Sequence, residues 1–71
     1  MRFDKTTLAR AMKSKRALRG WTQGDLAEHS RVSLSTISAY EAEVIDRPTF
    51  PNVIKIADSL ESPLGDFVSK V

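Results

Sequence analysis

Cysteine is absent from this 71-residue chain, so neither a disulfide staple nor a Cys-based zinc site can support its fold. The reducing cytoplasm is the compartment that fits this usage. With a single histidine, His29, there is no metal cluster, no Cys–His pair and no evident catalytic triad to assemble. An enzyme is not expected, nor a metal or cofactor. The three glycines, Gly20, Gly24 and Gly65, are too scattered to cradle a phosphate. No apolar run approaches the roughly 18–20 residues of a membrane span, and no signal-peptide core follows the N-terminus. Alternating strand patterns, internal repeats and low-complexity tracts are also missing.

What is present suits one small globule. An apolar content of 41% is enough for a single core, and the length allows one domain, over residues 1–71. The net charge is only +2, but it is unevenly distributed, with +5 on residues 1–31 and −3 on residues 32–71. A basic half favours a polyanion, with the acidic half facing away from it; a merely solvated basic helix is the plainer alternative. Membrane-surface binding by the basic first helix is not expected, because its apolar face is needed for the core.

Helical spacing runs through the chain. Residues 1–5 read as an arm anchored by Phe3. A first helix is expected over 6–19, with Leu8, Ala11, Met12 and Leu18 facing inward, Lys15 snorkelling beside them and Gly20 stopping it. Trp21 then plugs the core. Thr22 can cap a second helix over 22–29, with Asp25 completing a capping box and His29 a partly exposed residue near its end. Ser33 caps a third over 33–42, whose inner positions are Ile37 and Tyr40. Its outer face is small and uncharged, which suits a surface that enters a groove. A loop closed by Pro48 leads to a fourth helix over 49–60, capped by Thr49, with Pro51 in its first turn and Phe50, Val53, Ile54, Ala57 and Leu60 inward. A fifth is expected over 63–68.

The segments RGWTQGDLAEHSRVSLSTISAYE, RPTF and VIKIADSLESPLGDF resemble the Cro/C1-type (XRE) helix-turn-helix family of phage repressors and bacterial regulators. The resemblance spans about Leu8 to Phe67. It implies an all-α, compact five-helix, lambda-repressor-like domain whose helix-turn-helix occupies about residues 22–42. It also implies that Gln23, supported by Thr22, binds a backbone phosphate at a helix N-terminus. Base-contacting positions map to Leu34, Ser35, Thr36, Ser38 and Ala39. Further phosphate contacts map to Arg16, Ser33, Arg47 and Thr49. An ion pair between Arg16 and Glu41 would tie the first helix to the third and orient it.

Three positions where that family prefers glycine hold Arg31, Glu43 and Glu61. Either each takes a positive φ at a cost of about 1 kcal/mol or, as expected here, the third helix runs on past Glu41, leaving Val44 and Ile45 to pack or to meet a partner. Positions 34 and 39, often long polar readers in relatives, are Leu and Ala, so bidentate Arg–guanine or Gln–adenine readout is absent. Hydroxyl bonds from Ser35 and Ser38 and methyl contacts to thymine remain, which favours an A·T-leaning or shape-dependent site.

The function implied is a sequence-specific double-stranded DNA-binding transcriptional regulator, a phage-type or plasmid-type repressor. It would act in the cytoplasm as a homodimer on a palindromic operator. Leu64, Phe67, Val68 and Val71 are the candidate dimer interface, with core packing as the competing use. This reading also accommodates a protein partner such as an antirepressor or a toxin. The alternative function is an antitoxin-like or adaptor module that uses the same fold to bind protein, favoured if Leu34, Val44 and Ile45 are exposed.

Overall fold

Asp4 starts the fold. In the computed structural model, which describes residues 4–68, its carboxylate accepts from the Thr7 backbone N–H at 3.3 Å and the Thr7 hydroxyl at 2.8 Å. This N-cap opens α1, Lys5–Leu18, slightly earlier than the spacing predicts. The expected arm is thereby shortened, and Phe3 lies outside the described residues. At the other end the Gly20 N–H donates to Ala17 O and the Trp21 N–H to Arg16 O, both at 3.0 Å, closing a Schellman turn with Gly20 at φ 69°.

Three more helices follow: α2 over Gln23–Ser30, α3 over Leu34–Glu41 and α4 over Phe50–Ser59. Thr22 and Asp25 form both halves of the expected capping box at 3.1 and 2.9 Å. Ser33 caps α3 through the Thr36 N–H. Thr49 precedes α4 but makes no side-chain cap bond; its own N–H donates to the Tyr40 hydroxyl at 3.2 Å. The fifth element is a single 3-10 turn, Leu64–Phe67, and not the helix expected over 63–68. Pro63 in front and Gly65 inside leave too little helix-forming chain for more than one turn. The described residues therefore hold four α-helices and this turn, with no strand.

The helices close around Leu8 and Met12 of α1, Leu26 of α2, Ile37 and Tyr40 of α3, and Val53, Ile56 and Ala57 of α4, with Val32, Leu60 and Phe67. Leu18 was expected among them but is 85% exposed. It lies six residues after Met12, which turns it off the stripe that Leu8 and Met12 define, whereas Ala9 is fully buried. In α4 and its C-cap the inner stripe is 53, 56, 57 and 60, so Ile56 is buried while Ile54 is half-buried and Phe50 exposed. Phe67 and Val68 are buried and Leu64 packs against the core, so the surface expected of them for a dimer contact is occupied within the chain. Val71 lies outside the described residues. Lys15 snorkels as expected, its ammonium on Asp66 at 2.9 Å and 5.8 Å from the Phe67 ring centre. Trp21 packs partly against the core and stacks on His29, ring centres 4.2 Å apart. None of the described helices is long and apolar enough to cross a membrane.

The third helix does not run past Glu41. Arg31, Glu43 and Glu61 all take positive φ, at 61°, 61° and 52°, and each ends a helix as glycine would. After α3 the Glu43 N–H reaches Tyr40 O and the Val44 N–H reaches Ala39 O, both at 3.2 Å; after α4 Glu61 and Ser62 repeat the arrangement. A non-glycine residue in this conformation costs about 1–2 kcal/mol, and glycine gives back about 0.4–1 kcal/mol through its freer unfolded state. Arg31→Gly should therefore stabilise the domain by about 0.5–1 kcal/mol, a rise of a few degrees in thermal melting, and Glu61→Gly by somewhat less, because it also removes the exposed 3.5 Å pair with Arg19. Glu43→Gly should gain less, because it removes the 2.7 Å bond from the Thr6 hydroxyl to the Glu43 carboxylate. Melting temperatures of Arg31→Gly and Glu61→Gly at or below that of the parent chain would contradict this.

Candidate nucleic-acid interface

Glu41 ends α3 with its side chain only 2% exposed, and three helices converge on its carboxylate. Arg16 of α1 grips it in a fork, Nε to Oε2 at 2.9 Å and Nη2 to Oε1 at 2.8 Å, and its remaining Nη1 donates to Trp21 O at 2.9 Å. Gln23, the first residue of α2, donates from Nε2 to Glu41 Oε1 at 3.1 Å. Its own Oε1 accepts from the Ser38 hydroxyl at 3.1 Å. Burial opposes the Glu41 charge, but the bonds from Arg16 and Gln23, with the charges of Arg16 and Lys13, hold its carboxyl below the ordinary value. The bond to Glu41 raises the Arg16 guanidinium in turn, so the pair is ionised at neutral pH. The ion pair expected between α1 and α3 is thus present, and it also holds Gln23.

The outer face of α3 carries the five candidate base-contacting residues. Leu34 is 52% exposed, Ser35 and Ser38 are exposed, and Thr36 and Ala39 are half-buried. At its start the hydroxyls bond one another: Ser33 Oγ lies 2.8 Å from Thr36 Oγ1 and 3.3 Å from Ser35 Oγ. Beside this face an open groove of about 360 Å³ has Ser35, Thr36 and Ala39 along one side and Arg47, Thr49 and Asn52 along the other, with Tyr40 and Ile45 completing it. The groove brings residues 35, 36 and 39 together with 47 and 49, as the mapping requires. Thr22 and Gln23 stand at the N-terminus of α2, joined to α3 by the Ser38 bond.

Asn52 and Tyr40 were not anticipated there. The Tyr40 hydroxyl accepts from the Thr49 N–H and the Asn52 amide, both at 3.2 Å, and so fastens the start of α4 to α3. A tyrosine at an inner helical position followed by a loop that must return to it is the only hint the sequence offers.

The charge asymmetry has a second explanation. Lys5–Asp46, Lys15–Asp66, Arg16–Glu41 and Arg19–Glu61 each join a cation of residues 1–31 to a carboxylate of residues 32–71, at 2.8–3.5 Å. Much of the basic half is therefore matched inside the fold. Among the described residues, exposed Arg47 in the groove makes no ion pair. Val44, 67% exposed, and Ile45 sit beside it.

A helix-turn-helix family model matches residues 12–67 of the chain. Among curated proteins, the chain is similar to Antitoxin HipB of Escherichia coli strain K12, 41% identical over 59 residues, which are 83% of this chain and 66% of that protein. It is also similar to Antitoxin HipB of Escherichia coli O6:H1 strain CFT073, 39% identical over 59 residues, 83% of this chain and 62% of that protein. The chain thus spans slightly less than two thirds of the length of these relatives. No solved structure matches it.

Removing Glu41 should be costly, because it leaves the half-buried Arg16 guanidinium without its carboxylate. Glu41→Ala should lose about 3 kcal/mol, the lower end for a broken buried pair, since Arg16 can partly rehydrate. Because the folded carboxyl titrates lower than the unfolded one, its stabilisation is complete above the ordinary carboxylate range and is lost as pH falls through the folded value. Denaturation curves across acid pH should therefore show a shallower acid loss in Glu41→Gln than in the parent. Equal acid slopes in the two would contradict this role.

Proposed function

The chain belongs to the Cro/C1-type helix-turn-helix family, and from that premise we propose that it is a sequence-specific, double-stranded DNA-binding regulator of transcription. It acts as a repressor, with α3 in the major groove of a palindromic operator and two copies on the two half-sites. The observation that carries this reading is the juxtaposition of the small outer face of α3 with Gln23 on one side and the Arg47 groove on the other. In this arrangement Thr22, Gln23, Ser33, Arg47 and Thr49 contact phosphates, and Arg16 acts chiefly by holding Glu41. Leu34, Ser35, Thr36 and Ala39 face the bases. The single domain over residues 1–71 and a cytoplasmic setting go with this proposal.

Base readout by these side chains is thin. Hydroxyls and methyls contribute little discrimination beside a bidentate Arg or Gln pair. Sequence preference then leans on thymine methyls and on how readily the duplex deforms, which favours A·T-rich centres.

A second reading is favoured by two observations: both relatives above are named antitoxins, and Leu34, Val44 and Ile45 are all exposed. On it, this chain also binds a toxin protein, and exposed Val44 and Ile45 are available surface for such a partner. An adaptor that binds protein and not DNA is the form of this reading that the DNA titration excludes or supports.

Titration against mixed genomic fragments should yield nanomolar binding to a discrete palindrome at moderate salt, with affinity falling steeply as salt rises. Arg47→Ala should weaken binding to all duplexes alike and lower the magnitude of the salt slope by about one. Ser35→Arg or Ala39→Arg should change the preferred sequence. Weak, sequence-blind binding by the parent chain would replace the regulator with the adaptor.

A further inference from the structure

We propose that Ser38 is a positioning residue for Gln23 and does not read a base; the proposal rests on the DNA-binding reading above. It follows from the polarity of three bonded groups. The buried Glu41 carboxylate can only accept hydrogen bonds, and both its oxygens already take one from Arg16. The Gln23 amide atom 3.1 Å from Glu41 Oε1 must therefore be the nitrogen. That assignment places the amide oxygen toward Ser38, and an amide oxygen can only accept, so Ser38 is the donor across its 3.1 Å contact.

The one proton of the Ser38 hydroxyl is committed to Gln23, leaving Ser38 only lone pairs for the groove. Gln23 is fixed at both ends of its amide, nitrogen by α3's buried carboxylate and oxygen by α3's exposed hydroxyl. One amide N–H is left over, and it is the donor available for a phosphate at the N-terminus of α2. A glutamine has several rotatable bonds, and ordering them on binding weakens affinity; here that ordering is complete before DNA arrives. Ser38 thus affects affinity through the phosphate contact, which is the same for every sequence.

The test uses the full chain and the duplex it enriches from a random double-stranded library, together with every single base-pair variant of that duplex. Ser38→Ala should fold, since the position is exposed and alanine favours helix; thermal melting checks this. It should weaken binding about three- to tenfold, the loss of one ordinary hydrogen bond, and by the same factor on every duplex. In a Gln23→Ala background the same substitution should change affinity less than about twofold, because a positioning residue has nothing left to position. A loss of discrimination at one base pair, an undiminished effect without Gln23, or no effect of Ser38→Ala overturns the assignment. A parent chain that enriches no duplex overturns the DNA-binding reading itself, and is recognised before any variant is made.

Discussion

The Glu41 carboxylate is the point on which the arrangement of the first three helices depends. It sits on α3, is held by Arg16 of α1 and Gln23 of α2, and is almost wholly removed from solvent. A charge in such a place persists only if its lone pairs are met, and among the described residues no buried side-chain polar atom lacks a partner. Hydrophobic packing of Leu26, Ile37 and Tyr40 tolerates small rotations of one helix on another; a forked guanidinium–carboxylate pair does not. The pair contributes direction more than net stability, since desolvation offsets much of its attraction.

That constraint matters because α3 is short and poorly equipped. Its eight residues, Leu34–Glu41, present hydroxyls and methyls where a long reader would compensate for a misplaced helix. In the proposed complex, Ser35 and Ala39 would reach a base edge only if the backbone arrives close and in register. The cap at Ser33, the Ser38–Gln23 bond and the Tyr40–Asn52 bond each fix one part of α3 or its neighbours. The α3 C-terminus is held by Glu43 in a left-handed conformation at some cost in strain, so the chain turns away toward the groove and does not extend the helix.

Much of this was legible in the sequence where the signal is local. Thr22 with Asp25, and Ser33 before an apolar spacing, marked the starts of α2 and α3 correctly, because capping bonds span only three residues. The Asp4 cap has the same spacing to Thr7, but it falls at the end of a stretch that reads as an arm. Ile56 and Phe50 were exchanged in the inner stripe of α4 because both are apolar and only the helical phase separates them. Arg31, Glu43 and Glu61 lie where glycine is preferred, and the resemblance pointed to the positions; the expected longer α3 assumed that the chain would avoid strain it in fact accepts. The ion pairs Lys5–Asp46 and Lys15–Asp66 join residues 41 and 51 apart and have no sequence pattern to announce them. Together with Arg16–Glu41 and Arg19–Glu61, they account for much of the charge asymmetry between the two halves. The candidate site was legible as a set of residues only through the resemblance, and the groove between α3 and residues 47–52 depends on a loop path that spacing does not encode.

The proposed DNA-binding surface is α3's outer face together with the start of α2. Amide chemical shifts of the isotope-labelled chain, followed while the duplex it enriches is added, test this residue by residue. The largest changes should fall on residues 22–24, 33–39 and 47–49, with the exposed side of α1 around Arg10 and Leu18 unmoved. Changes concentrated on α1, with residues 33–39 unaffected, would contradict it.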